Sequence, residues 1–446
     1  MNNENRVVRS CLQLAEKAGA DAAEAYFLHQ DNLTIEVRNN KLETLERSKD
    51  RGVGIRVFKS GSFGYTFTSD LGSTALKEAV ELALKGAIYS NLDVDARLPE
   101  QQPFDLSLAQ FDCDIENTTL EEKQALALTI EKAALDTDSR VSMTERAVYE
   151  ENSNTVLLAN SCGLQLNYRT NFCGGYIWVV AEDNGDVQTG AGVAYRPQLS
   201  QFDPVAIGEE AALKAVQLLG ADSIATQRLA LVLPSKVATQ FLGILAAMLS
   251  AEAAQKERSL FADRLGQQVA SKAVTIIDDG SLKGEINTAP ADGEGTSSQR
   301  TIVMEQGMLC SFLHNSHTAA KEGTVSTGNG VRGSFKTPPE VGPTNMFFAP
   351  GVSTENDLIQ SVDKGLYVFN LMGVHTANPI SGDFSLGVTG LLIEKGRLTR
   401  PVRQVMLAGN ILDFLNQIQA VASDLRFYLG FGSPALLVGA LTISGD

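Results

Sequence analysis

Three stretches carry residue types and spacings that could do chemistry. Cys310, His314 and His317 set a thiol and two imidazoles close together, and they would form a three-ligand metal site if Cys310 and His314 share a strand face at period two. The same segment, CSFLHNSH, reads equally as a strand running into a polar turn, with its histidines capping or exposed. Ser326 to Arg332, STGNGVR, is a polar, glycine-rich loop ending in arginine. Its N–H groups and guanidinium fork suit a carboxylate or a peptide backbone, with a plain surface loop as the alternative. It lacks the Gly-Lys-Ser/Thr ending of a phosphate loop. Asp292-Gly293-Glu294-Gly295 offers two carboxylates in a flexible turn, which could meet a substrate amine or only solvate the loop. His375 could be a lone acid–base group or a hydrogen-bonded strand residue, and spacing gives His29 no partner. No G-x-S-x-G elbow is present, so no nucleophile can be named.

The most glycine-dense stretch, Asn370 to Asn410, reads as a site wall. Gly382, Gly387 and Gly390 remove side chains where a backbone or ligand could approach, or where a curved sheet only relieves crowding. Leu391 to Glu394, the turn Lys395-Gly396 and the LTRPV run predict a hairpin whose glycine supplies a positive φ.

These segments must be positioned by a chain of 446 residues, long enough for more than one core. Its 43% hydrophobic and 20% charged residues place it in the ordinary globular class. A net charge of -16 opposes attraction to phosphate backbones or anionic lipid, so neither nucleic acid nor membrane is expected as a partner. No apolar run reaches the length of a membrane span, and MNNENRVVRSCLQ lacks a signal-peptide core, which predicts a soluble cytoplasmic protein. Five scattered cysteines without a CxxC pair predict reduced, structural thiols.

The fold class expected is α+β. Residues 4–90 read as helix, antiparallel meander, helix, with the runs AEAYFLHQ, LTIEVRNN, KLETLER, GVGIRVFKSG and SFGYTFTS separated by Asn-Asn, Asp-Arg-Gly and Lys-Ser-Gly turns. Residues 118–220 repeat that order, from a Thr119–Glu122 capping box to a helix opened by Asp203-Pro204, which points to an internal duplication. Residues 1–220 thus form an N-terminal half of antiparallel sheet and helices, and 221–446 a strand-rich C-terminal half with few helices. A helix capped by Ser235 and another capped by Asn410 are expected in that second half.

IDDGSLKGEINTAPADGEGTSSQRTIVMEQGML, STGNGVR, TNMFFAPG, SGDFSLGVTGLLIEKGRLTRPV, LAGNILDFL and SPALLVGALTISG, in this order, resemble the C-terminal region of the TldD/PmbA family, which also carries an older label as modulators of DNA gyrase. GVGIRVFKSGSFGYTFTSD extends the resemblance more loosely into the first half. TldD-like members have an HExxxH helix and a later cysteine. Here the corresponding helix reads MLSAEAAQKER, with Glu252 but neither histidine, and FGSPALL has no cysteine. The chain therefore resembles the PmbA, or TldE, branch. That implies a metal-free subunit of a cytoplasmic metallopeptidase that trims or degrades small unfolded or modified peptides. Zinc would sit in a TldD-like partner, with no cofactor in this chain; the alternative is a stand-alone homodimeric peptide-binding protein without hydrolytic activity. By the same resemblance Asp292, Glu294, Thr327, Asn329, Arg332 and Asn345 would line or support a cleft shared between subunits. Separately, the glycine-rich wall at Gly387 would suit a peptide taken up as an added strand, because backbone pairing tolerates varied side chains.

Overall fold

The computed structural model describes residues 3–445. Helix α1 (Asn3–Lys17), strands β1 (Ala22–Arg38), β2 (Lys41–Lys59) and β3 (Ser62–Thr68) and helix α2 (Ser73–Tyr89) make a first unit. After a polar bridge and a short helix α3 (Cys113–Asn117), the order recurs as α4 (Leu120–Thr137), β4 (Val141–Asn160), β5 (Gln165–Asp183), β6 (Asp186–Arg196) and α5 (Pro204–Gln217). The six strands form one antiparallel sheet in the order β3-β2-β1-β4-β5-β6, so each unit contributes a mirrored half about the central β1–β4 pair.

The duplication reaches single residues. Gly64, paired with Val57, lies so close to α2 that a Cβ there would stand 2.0 Å from Ala83 O; Gly190, paired with Val179, would stand 2.1 Å from Ala211 O of α5. In both units a glycine admits the covering helix against the third strand.

The sheet uses both faces. Odd positions of β1 such as Ala25, Phe27 and Ile35 are buried under the helices, while Tyr26 and Leu28 pack on the other face with Leu158 of the same sheet and with Ala291 and Phe335 of the C-terminal half. The strands are longer than their turn signals predict. Asn39-Asn40 and Ser60-Gly61 are turns with positive φ, but Asp50-Arg51-Gly52 runs on as strand. Gly52 serves instead to let in the ring of Phe335, which would lie 2.2 Å from a Cβ.

The C-terminal half begins with β7 (Gln227–Leu233), the buried helix α6 (Ser235–Met248) and the short α7 (Ala251–Gln255). Then follow β8 (Ile276–Asp279), β9 (Arg300–Glu305), β10 (Met308–Leu309), α8 (Ser316–Glu322), β11 (Gly330–Val331), β12 (Glu340–Val341), β13 (Met346–Phe348) and α9 (Glu355–Gln360). The last elements are β14 (Lys364–Met372), β15 (Asp383–Glu394), β16 (Arg397–Asn410), α10 (Ile411–Gln417), β17 (Ile418–Val421), β18 (Arg426–Tyr428), β19 (Phe431–Ser433) and β20 (Leu436–Ser444). Strands β16-β15-β14-β7-β20 close on themselves through β16–β20 pairing into a small barrel, with β17 added beside β20. A second sheet runs β10-β9-β8-β13-β19-β18. Phe241 of α6 stacks on Phe414 at 4.0 Å in the core shared by these layers.

Local signals are realised where the chemistry is local. Thr119 and Glu122 form the capping box, Asp203 and Asn410 cap their helices, and Lys395-Gly396 turns the hairpin with both φ angles positive. Ser235 is the exception: Pro234 holds the N-cap position, and the Ser235 hydroxyl is within hydrogen-bonding distance of Asp424. The site wall expected around Gly387 is a central barrel strand. Gly387 pairs with Met372 on one side and Met406 on the other, so β15 has no free edge there for an added peptide strand. At Gly390 a Cβ would meet Tyr367 O at 2.0 Å, so that glycine relieves crowding within the sheet.

Candidate functional site

A charge placed on a strand covered from both sides needs a buried partner. Glu24 of β1 and Arg56 of β2 are such residues, and they build the junction between the halves. Arg56 Nη2 donates to Glu24 Oε2 at 3.0 Å and Nη1 to Glu294 Oε1 at 3.1 Å. Glu24 Oε1 also accepts from Arg332 Nη2, and Glu294 Oε2 from the Ser316 N–H at 2.8 Å. Two arginines and two carboxylates thus balance inside the protein and tie the first sheet to the 292–294 turn and the 330–332 loop.

Asp292 sits beside this quartet without a cation of its own. Its oxygens accept N–H bonds from Gly330 at 2.8 Å and from Glu294 and Thr296 at 2.9 Å. Burial, reinforced by the Glu294 charge, raises its pKa above the ordinary carboxylate range, with the N–H bonds opposing. Behind it, Asn329 Nδ2 donates to Asp278 at 2.7 Å, Thr327 Oγ1 to Asn329 Oδ1 at 2.6 Å, and Asn345 Nδ2 to Thr288 at 3.0 Å. Burial likewise pushes Asp278 up, against hydrogen bonds from Asn329 and Thr344.

These groups surround a cleft of ≈ 380 Å³ between the open face of the first sheet and the C-terminal loops. Asp292, Gly293 and Arg332 line one wall; Tyr26, Gln30, Asn154 and Tyr168, projecting from the sheet, line the other. The Arg332 guanidinium lies 4.7 Å from the Tyr26 ring centre, and its Nε donates to Gly293 O at 2.5 Å. Among the described residues, two side chains lining this cleft each carry a buried polar atom with no hydrogen-bond partner: Arg332 Nη1, a donor on a guanidinium that also lies by the Tyr65 hydroxyl, and Asn154 Oδ1, an acceptor. Of the residues singled out in the sequence, Asp292 and Arg332 reach the cleft, whereas Glu294, Thr327, Asn329 and Asn345 brace it from behind. Gly387 lies in the barrel instead. The sheet-borne wall was missed, although AAEAYFL, apolar on both parities and carrying a glutamate, marks a strand covered on both faces.

The Cys310 segment does not converge. Cys310 is exposed, with its Sγ toward Met308 O, while His314 is buried and stands 3.7 Å from Glu322. His317 Nε2 lies 3.1 Å from Asp93 in the polar bridge. His375 is exposed on a short 3-10 turn, and His29 lies in a separate charged hollow with Asp31 and Arg47. Among the described residues no three His, Cys, Asp or Glu side chains are grouped to hold a metal ion. On α7, Glu252 pairs with Lys256.

Residues 23–87 match domain 1, residues 113–219 the central domain and residues 226–445 the C-terminal domain of the PmbA/TldA metallopeptidases. The chain belongs to the PmbA/TldD family. It is similar to the metalloprotease PmbA homolog of Haemophilus influenzae, 29% identical over 99% of this chain and 96% of that one. Among solved structures, a Thermotoga maritima protein provisionally described as a modulator of a DNA gyrase superposes with a TM-score of 0.91 at 26% identity, covering 99% of this chain and 100% of the other. TldE from Thermococcus kodakarensis shares the fold with a TM-score of 0.90 at 22% identity, over 98% and 100% of the two chains. The metallopeptidase name of the relatives implies a bound metal, and among the described residues no donor set fits one. Neither α7 nor the β19 region, where Ser433 Oγ bonds Pro434 O, supplies a histidine or thiol. No helix among the described residues is long and apolar enough to cross a membrane.

Beside the cleft, burial pushes the Glu285 carboxyl up to about 7, with Arg196 opposing. Its folded pKa lies above its ordinary value of 4.5, so the folded state holds the proton more tightly. This stabilisation is full below the ordinary value and disappears as pH rises through the folded one. Glu285→Gln is therefore expected to gain stability relative to the parent between about pH 5 and about pH 8 in urea unfolding. An identical difference at both pH values would contradict the assignment.

Proposed function

We propose that this chain is the peptide-holding, metal-free subunit of a cytoplasmic TldD/TldE-type metallopeptidase that trims or degrades small unfolded or modified peptides. The observation that carries the reading is the pair of unsatisfied atoms at the cleft. A peptide group offers one carbonyl acceptor and one N–H donor, the complement of Arg332 Nη1 and Asn154 Oδ1. Such pairing reads backbone and not side chains, which suits substrates of varied sequence. Asp292 and Arg332 contact the peptide in this reading, while Glu294, Thr327, Asn329 and Asn345 hold those two in place.

Hydrolysis then belongs to a partner. A zinc site needs about three protein ligands and an open position, and the TldD-like subunit supplies them together with the zinc. Similarity to a PmbA homolog and a shared fold with a protein named TldE support the pairing. Co-expression of this chain, tagged, with an untagged TldD-like chain is expected to yield both in equal amounts after affinity capture and gel filtration. Elution of this chain only as a homodimer, with the TldD-like chain in a separate peak, would turn the reading toward a stand-alone peptide-binding protein.

A further inference from the structure

A second cavity, ≈ 320 Å³, opens where β6 and α5 of the first half meet the start of α6 and strands β14 and β15 of the second. It shares no lining residue with the cleft described above. Two lysines line it in a chain of net charge -16. Lys214 is tied to Glu210 on its own helix. The Lys236 ammonium makes no ion pair or hydrogen bond among the described residues, although its backbone carbonyl accepts from Thr239 Oγ1 at 2.8 Å. Burial, with the Lys214 charge adding and Glu210 opposing, pulls it down to about 8.

One turn further along α6, Gln240 Oε1 is buried without a partner. Residues four apart lie on one helix face, so Lys236 and Gln240 present an ammonium and an unpaired amide oxygen to the same cavity. Trp178, Phe369 and Met372 supply an apolar wall. Among the described residues, no acidic side chain lines the cavity.

We propose that this cavity binds the C-terminal residue of a peptide or an N-acyl amino acid. Lys236 Nζ holds the carboxylate, Gln240 Oε1 accepts from the N–H of the same residue, and the apolar side chain rests on Trp178, Phe369 and Met372. An inorganic anion would answer the lysine and leave Gln240 unpaired; an esterified terminus would answer Gln240 and leave the ammonium without its counter-charge. The site would anchor one end of a chain through chemistry every free terminus carries. It stands apart from the peptidase reading, because its own residues specify the ligand.

Trp178 is the only tryptophan in the sequence, so its fluorescence reports on this cavity. The full chain is titrated with N-acetyl-L-leucine, its methyl ester and inorganic phosphate, with calorimetry alongside to register binding that leaves fluorescence unchanged. The expected result is saturable binding of the acid, at least about tenfold tighter than of the ester or phosphate. Lys236→Met should weaken it by about tenfold or more, Lys236→Arg should retain most of it, and Gln240→Leu should weaken it by several-fold. Circular dichroism establishes that each variant is folded. Affinity should fall as pH rises through about 8, where free Lys236 loses its proton; the charged groups facing it are Lys214 and Glu210, and β6, β14 and β15 contribute no ionisable side chain to the lining. No binding of the acid by either method, equal binding of the ester or phosphate, or an unaffected Lys236→Met variant would overturn the proposal. The readout is binding, so neither outcome bears on peptide cleavage.

Discussion

Arg56→Met is expected to destabilise the chain by about 3–5 kcal/mol, the usual cost of removing one partner from a buried charge cluster. The guanidinium contacts Glu24 and Glu294, and both carboxylates are almost fully buried. Without it, Glu294 keeps only the Ser316 N–H, and Glu24 must share its whole charge with Arg332. The damage should be specific to uncompensated charge. Adding Glu294→Gln to Arg56→Met should recover a large part of the loss, because it leaves the buried Glu24–Arg332 pair balanced and a neutral amide is cheaper to bury than an unpaired carboxylate. Urea unfolding of the single and double variants checks both statements. A double variant less stable than Arg56→Met would show that the cluster acts through packing or shape instead.

Arg332→Met should weaken ligand binding and also lower stability, since the Arg332–Glu24 pair is itself buried. Glu24 retains Arg56 in this variant, and the methionine stem can still lie over Tyr26. What is lost is the Nη1 donor at the cleft, so peptide affinity should fall by roughly tenfold or more. Asn154→Leu, which removes the facing acceptor, should weaken binding by a smaller factor, since a neutral hydrogen bond is worth less than a charge-assisted one. Fluorescence polarisation with a labelled unstructured peptide, on protein alone and after partner addition, measures both. Unchanged affinity in Arg332→Met would remove the cleft from consideration as the peptide site.

What could be read from the sequence follows the range of the forces involved. Capping at Thr119, the Asn39-Asn40 turn and the Lys395-Gly396 hairpin depend on neighbours in the chain, and their residues announce them. The duplication was legible in the order of elements, whereas its residue-level signature, Gly64 and Gly190 each against a helix, needed the packing to be seen. Gly52 shows the opposite error. Beside Asp-Arg it reads as a turn, but its cause is the Phe335 ring from the other half of the chain, which nothing within β2 can reveal. The candidate site divides in the same way. Asp292 and Arg332 lie on polar, glycine-rich loops that stand out, while Tyr26, Asn154 and Tyr168 are ordinary strand residues until the C-terminal loops cover them. Gly387 misled because an abundance of glycine looks alike in a binding wall and in a tightly curved barrel.

The measurement that bears most directly on the central claim is cleavage of an unstructured peptide by this chain alone, by a TldD-like partner alone and by their mixture, with zinc quantified in each. The account predicts no cleavage and no stoichiometric zinc in the isolated chain, and cleavage in the mixture with about one zinc per pair. The Arg332→Met chain should lower activity in that mixture without changing its zinc content. Zinc-dependent cleavage by the isolated chain would contradict the account and return attention to His314, His317 and Cys310.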